Sequence, residues 1–155
     1  MRLALTPRAD TTTRDAATDV CSHDGCEPIR VCFLTPSLVM GGAERWMLSL
    51  ARYCNPERIQ WAGTVITRYA AVKPEITSQL SSCMPIAGPP ERGESDSADV
   101  VRCPSLTDAV EQVVRDADVM VAWGVPDIGQ LTGRLSIPIV YVSHGAGDWT
   151  ARALR

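Results

Sequence analysis

Apolar residues recur along the chain in two alternating patterns, short continuous runs and stripes at helical spacing. The runs predict strands at residues 31–34, 61–67, 83–87, 119–123 and 137–143. The stripes predict helices at residues 46–54, 73–80, 106–117 and 128–135. Strands that alternate with helices form βαβ units, so the pattern predicts an α/β fold with a Rossmann-like parallel sheet flanked by helices.

The two ends of this pattern differ in composition. Residues 1–28 hold few large apolar side chains and no sustained period, which predicts a disordered leader before a domain at residues 29–155. Glycines, prolines and charges at residues 88–104 predict a long loop, interrupted by a brief extended piece at 100–101.

Residues 29–54 contain, in direct succession, the predicted first strand, a loop that ends in Gly41-Gly42 and the predicted first helix. The unpaired N–H groups and the positive dipole end of a helix N-terminus favour an anion. Glycines let a phosphate come close to the backbone because they have no Cβ. Gly41 and Gly42 are therefore candidates for anion binding. The alternative is an ordinary strand-to-helix turn that binds nothing.

The sequence MGGAER at residues 40–45, directly after a first strand, resembles the start of the retaining GT-B glycosyltransferases of family four. In those enzymes an N-terminal Rossmann-like domain takes the acceptor and a C-terminal one takes the nucleotide-sugar donor. The resemblance implies that Gly41 and Gly42 lie beside the donor diphosphate. It spans about residues 29–147 and is strongest at 40–45 and 140–145.

The second domain of that family, with its paired glutamates for the nucleotide sugar, has no counterpart in these 155 residues. The resemblance therefore implies an acceptor-side domain that is a fragment of a longer enzyme, and the isolated chain is expected to be inactive. Its expected partners are a nucleotide-sugar donor and a sugar or lipid-linked acceptor. No cofactor is expected.

Loops after the predicted strands carry the remaining candidates. If the strands lie in the spatial order 3-2-1-4-5, loops 37–42 and 124–127 flank the point where strand order reverses, and loop 143–148 lies next to it. His144 is either a loop histidine bonded to backbone or, as the resemblance implies, a residue that positions the transferring sugar. Asp127 and Asp148 are candidates for binding acceptor hydroxyls, or are turn residues.

Composition excludes several other functions. The net charge of −3 and the lack of a basic stretch argue against nucleic acid as the main partner. No apolar run reaches the ~20 residues that span a membrane, and no signal-peptide core is present, so a cytoplasmic location is expected, with peripheral membrane contact left open. Cys21, His23 and Cys26 lack a fourth ligand, so no metal site is expected.

Two rival functions remain open. A dinucleotide-binding domain needs the pattern G-x-G-x-x-G in its first turn and an acid after the second strand. This chain has Gly41-Gly42-Ala43 in the turn and Thr67-Arg68 after the strand, although an arginine suits the 2′-phosphate of NADP. A non-catalytic, truncated Rossmann-like module would show the same fold without turnover.

Overall fold

Strands and helices alternate through the part of the chain that the structure, a computed structural model, describes. The described residues are 27–39, 41–67, 72–89, 98–125 and 128–142. The strands are β1 Ile29–Thr35, β2 Ile59–Ile66, β3 Ile86–Gly88, β4 Val100–Arg102, β5 Val119–Trp123 and β6 Ile139–Val142. The helices are α1 Gly42–Tyr53, α2 Pro74–Ser81, α3 Leu106–Val114 and α4 Gly129–Thr132. Apart from Glu27 and Pro28, the predicted leader lies outside the described residues.

The six strands form one parallel sheet in the order β4-β3-β2-β1-β5-β6. The predicted parallel sheet is confirmed, and so is the order 3-2-1-4-5 of the strands that the pattern identified. The chain fills one half of the sheet from β1 to β4 and then crosses back to β5. Strand order therefore reverses between β1 and β5, which pair directly.

The two faces of the sheet carry different helices because side chains alternate along each strand. On one face, Cys32, Leu34 and Met120 pack with residues of α3 and α4. On the other face, Phe33 and Ile66 pack with residues of α1 and α2. The central strand β1 is buried from both sides, as a continuous apolar run predicts.

Several predicted boundaries were wrong, and each error has a local cause. Residues 100–102 are not a brief extended piece of a loop but edge strand β4, because Val100 pairs with Ile86 in parallel register. The third strand begins at Ile86 and not at Cys83, whose N–H closes α2 by donating to the carbonyl of Leu80 at 2.9 Å. The third helix ends at Val114 and not at residue 117, because the N–H of Ala117 donates to the carbonyl of Val114 at 3.0 Å.

A polar clamp holds β1 to β5 at the amino edge of the sheet. The carboxylate of Asp118 accepts from the backbone N–H of Arg30 at 2.8 Å, and its Oδ1 accepts from the guanidinium at 3.1 Å. The Asp118 N–H donates in return to the carbonyl of Arg30 at 2.7 Å. Hydrogen bonds from Arg30 hold the pKa of Asp118 below its ordinary value. Both side chains are almost half exposed, so the clamp aligns the strands more than it stabilises them.

Gly63 in β2 is a position where only glycine fits. Its φ is +153°, and an added Cβ would lie 3.0 Å from both the carbonyl oxygen of Pro85 and Cγ1 of Val113. Strained backbone and a backbone contact that cannot move make any side chain costly here.

We expect Gly63→Ala to lower the free energy of unfolding by about 1–3 kcal/mol, since strain and overpacking add. Gly133→Ala is the matched control, because nothing lies within 4 Å of its added Cβ. Urea denaturation of both variants measures the difference. Equal midpoints for the two variants would show that the backbone at Gly63 does not require glycine.

Candidate functional site

The candidate site lies at the carboxyl edge of the sheet, where strand order reverses. β1 ends there at Thr35 and β5 ends at Trp123, and the loops that follow leave from the same edge. In open α/β sheets, ligands bind in the crevice outside this reversal point. The strand topology thus brings the glycine-containing loop after β1 beside the loop after β5, as the strand order predicted.

The glycine pair forms the N-terminus of α1. Gly42 is the first residue of the helix and Gly41 is its N-cap, which confirms the predicted placement of Gly42. Gly41 has φ −127°, so its backbone conformation does not require glycine. Among the described residues, nothing lies within 4 Å of a Cβ added at Gly42. With respect to those residues, the missing side chain leaves open space directly outside the first turn.

Glu44 occupies part of this turn and contacts Gly41, which the sequence pattern did not predict. Its side chain is only 5% exposed, and Oε2 accepts from the N–H of Gly41 at 3.0 Å. The acid at the third helical position is the sequence signal for this contact, as in a capping box, but the glycine cap has no side chain to complete the box. The Gly41 N–H also lies 2.8 Å from the carbonyl of Val39.

These contacts change how the first turn can meet an anion. Gly41 cannot offer its N–H, because Glu44 already accepts from it, and the carboxylate repels a second negative charge nearby. The N–H groups of Gly42 and Ala43 make no hydrogen bond within the described ranges. An anion at this helix terminus would therefore lie over Gly42 and Ala43, where the space is open.

An aromatic cluster lies beside the same turn. The Trp46 ring lies edge-on to Phe33 of β1, with centroids 6.0 Å apart, and 4.5 Å from the ring of Trp123 at the end of β5. Phe33 stacks in turn on Trp61 of β2 at 5.1 Å. Trp123 is 8% exposed and belongs to the core. Trp46 is 39% exposed and lies across the junction of β1 and β5.

Other predicted site residues lie outside the described part of the chain. These are Asp127, His144 and Asp148, together with the candidate metal ligands Cys21, His23 and Cys26. The structure therefore places Gly41 and Gly42 at the reversal point and tests none of the assigned roles. Within the described ranges, no three His, Cys, Asp or Glu side chains could hold a metal ion.

Cysteines of the described residues are free thiols. Cys32 is buried in β1, and burial raises the pKa of its thiol to about 12. Such a thiol stays protonated and packs as a small apolar side chain. This agrees with its place in the predicted first strand and gives it no role at the site.

Two surface cavities lie at the opposite, amino edge of the sheet. One, of about 430 Å³, is lined by residues from the end of α1 and the start of β2, including Arg52 and Trp61. The other, of about 400 Å³, lies between the end of α3 and the segment before β6, including Arg115 and Arg134. Neither touches the reversal point. Strand topology places the candidate site, because neither cavity is lined by a residue from the carboxyl edge of the sheet.

Comparison with protein-family models, with curated proteins and with solved structures yields no match to this chain. The fold alone thus defines its class, a doubly wound α/β protein with a six-stranded parallel sheet. In the described ranges, no helix has both the length and the apolar character needed to cross a membrane.

We expect Glu44→Ala to lower the free energy of unfolding by about 0.5–2 kcal/mol, because the variant loses a cap contact and a favourable charge in the first turn. Glu44→Gln should lose less, since its amide oxygen still accepts from Gly41. Urea denaturation provides the measurement, with Glu57→Ala, an exposed carboxylate, as the control. A Glu44→Ala variant as stable as the control would contradict the capping contact.

Proposed function

We propose that this chain is the N-terminal, acceptor-side part of a nucleotide-sugar-dependent glycosyltransferase with a GT-B architecture. The observation that carries the proposal is the position of residues 41–45, whose sequence GGAER resembles that family, at the N-terminus of α1. This terminus lies at the carboxyl edge of β1, beside the reversal point of the sheet.

In this proposal the N–H groups of Gly42 and Ala43 bind the donor diphosphate. Open space over Gly42 supports this role, because a phosphate needs close approach to the backbone. Glu44 fixes the first turn, because its carboxylate accepts from the N–H of Gly41. The negative charge of Glu44 repels the diphosphate. This helix N-terminus therefore contributes less binding free energy than one without an acid would.

The remaining roles come from the sequence. The resemblance assigns His144 to position a hydroxyl of the transferring sugar, and their places in the loops after predicted strands make Asp127 and Asp148 candidates for the acceptor. A retaining reaction of this kind offers no obvious protein nucleophile. Catalysis would then depend on positioning the two substrates and on stabilising charge in an oxocarbenium-like transition state.

A second domain would hold the base and ribose of the donor in such an enzyme. The present chain would then contribute only a helix terminus to donor binding, and one exposed dipole contact is worth ~0.3–1 kcal/mol. We therefore expect no sugar transfer by the isolated chain, and dissociation constants for nucleotide sugars of about millimolar at best.

The test is an NMR titration of the isolated chain with UDP-, GDP- and ADP-glucose. We expect weak, saturable shifts of the amide signals of Gly42 and Ala43, which Gly42→Val abolishes by filling the open space. Gly133→Val, at a glycine far along the chain with equally open surroundings, is the matched control and should bind like the parent.

Three outcomes would contradict the proposal. Shifts that persist in Gly42→Val would remove the diphosphate from this turn. Tighter binding of NADP⁺ than of any nucleotide sugar would favour the dinucleotide-binding rival. Micromolar affinity or measurable transfer to a sugar acceptor would show that the chain does not depend on a second domain.

A further inference from the structure

Trp46 is partly exposed at the reversal point of the sheet. It lies in the second turn of α1, and its 39% exposure contrasts with the burial of its two ring partners, Phe33 and Trp123. Burying an aromatic side chain contributes much to stability, so a tryptophan left 39% exposed at the reversal point of the sheet is a candidate for contact with a ligand.

The residues one turn before Trp46 on α1 are too small to cover its ring. A helical side chain leans towards the N-terminus and covers the turn before its own Cα, so the indole reaches towards the turn that holds Gly42 and Ala43. These residues precede Trp46 by four and three positions and lie on the same side of the helix. Gly42 has no side chain and Ala43 only a methyl group, so neither can cover the ring.

The neighbouring sheet surface is also open on this side. Val121 of β5 is paired with Phe33 and with Val140 of β6, so the three share a face. Val140 is 51% exposed and Val121 only partly buried, whereas α4 packs on the other face. The ring of Trp46 therefore borders a shallow apolar surface and not a closed core.

The indole N–H of Trp46 is a donor that a ligand could use. No hydrogen bond from it is found within the described part of the chain. A pyranose ring offers an apolar C–H face that can lie on an indole and hydroxyl groups that can accept from its N–H. A purely apolar partner would leave this donor unpaired, at a cost.

We propose that Trp46 is a stacking platform for a sugar ring, placed beside the first turn of α1. The assignment rests on the proposed function for its choice of a sugar, and it adds a binding residue that the resemblance does not supply. The indole fixes the plane of the ring, and its N–H donates to one hydroxyl.

The experiment uses the whole chain, labelled with ¹⁵N, and follows the indole N–H signals of its four tryptophans. The probes are α-D-glucose 1-phosphate, D-glucose and inorganic phosphate. We expect glucose 1-phosphate to shift the Trp46 indole signal saturably and inorganic phosphate to leave it unmoved. Trp46→Leu should weaken glucose 1-phosphate binding about fivefold or more, and Trp46→Tyr, which keeps an aromatic face, should restore most of it.

Tyr53→Leu is the matched control, because Tyr53 is an 83% exposed aromatic residue in the last turn of the same helix. An unmoved Trp46 signal, or equal loss of affinity in Tyr53→Leu, would overturn the platform. The wild-type titration gives this answer even if Trp46→Leu folds poorly. Failure of the proposed function is separate: inorganic phosphate would then leave the amides of Gly42 and Ala43 unmoved, whatever the Trp46 signal does.

Discussion

The parallel pairing of β1 with both β2 and β5 is the constraint on which the rest of this structure depends. Residues 31–34 are buried from both faces, so β1 can lie only at the centre of the sheet. The chain must then add strands on one side, return across β1 and continue on the other. This path of the chain creates the crevice at the carboxyl edge, whichever residues line it.

Much of this architecture could be predicted from the sequence because its strongest signals are periodic. The continuous apolar runs of β1 and β5 and the amphipathic stripes of α1 and α3 identify both the sheet and its flanking helices. β4 was predicted only as a brief extended piece of a loop, because three residues carry too little pattern, and Val100–Arg102 becomes a strand of the sheet through pairing with β3. Short elements of this kind are decided by tertiary contacts that no local pattern contains.

The candidate site was predictable in position but not in detail. The placement of Gly42 at a helix N-terminus followed from the glycine pair and the helical stripe after it. The bond from Gly41 to Glu44 did not, because it depends on the rotamer of one buried side chain. The exposure of Trp46 was equally hidden, since helical spacing alone places it on the apolar face with Met47 and Leu50. Asp127, His144 and Asp148 stay predictions, because they lie outside the described residues.

Glu44 and Trp46 give the first two turns of α1 different surface chemistry. A buried carboxylate fixes the cap and limits the charge that the turn can accept, while an open indole offers apolar area one turn further along. In the proposed site, a ligand that combines a phosphate with a sugar ring would use both the N–H groups of Gly42 and Ala43 and the indole. An inorganic anion would use only the N–H groups.

Intermolecular NOEs between UDP-glucose and the isolated chain would locate the bound donor without the use of any variant. We expect contacts from the ligand to Ala43, Trp46 and Gly124, at the carboxyl edge where strand order reverses. Contacts confined to the cavities at the amino edge, to Arg52 and Trp61 or to Arg115 and Arg134, would contradict this placement of the ligand.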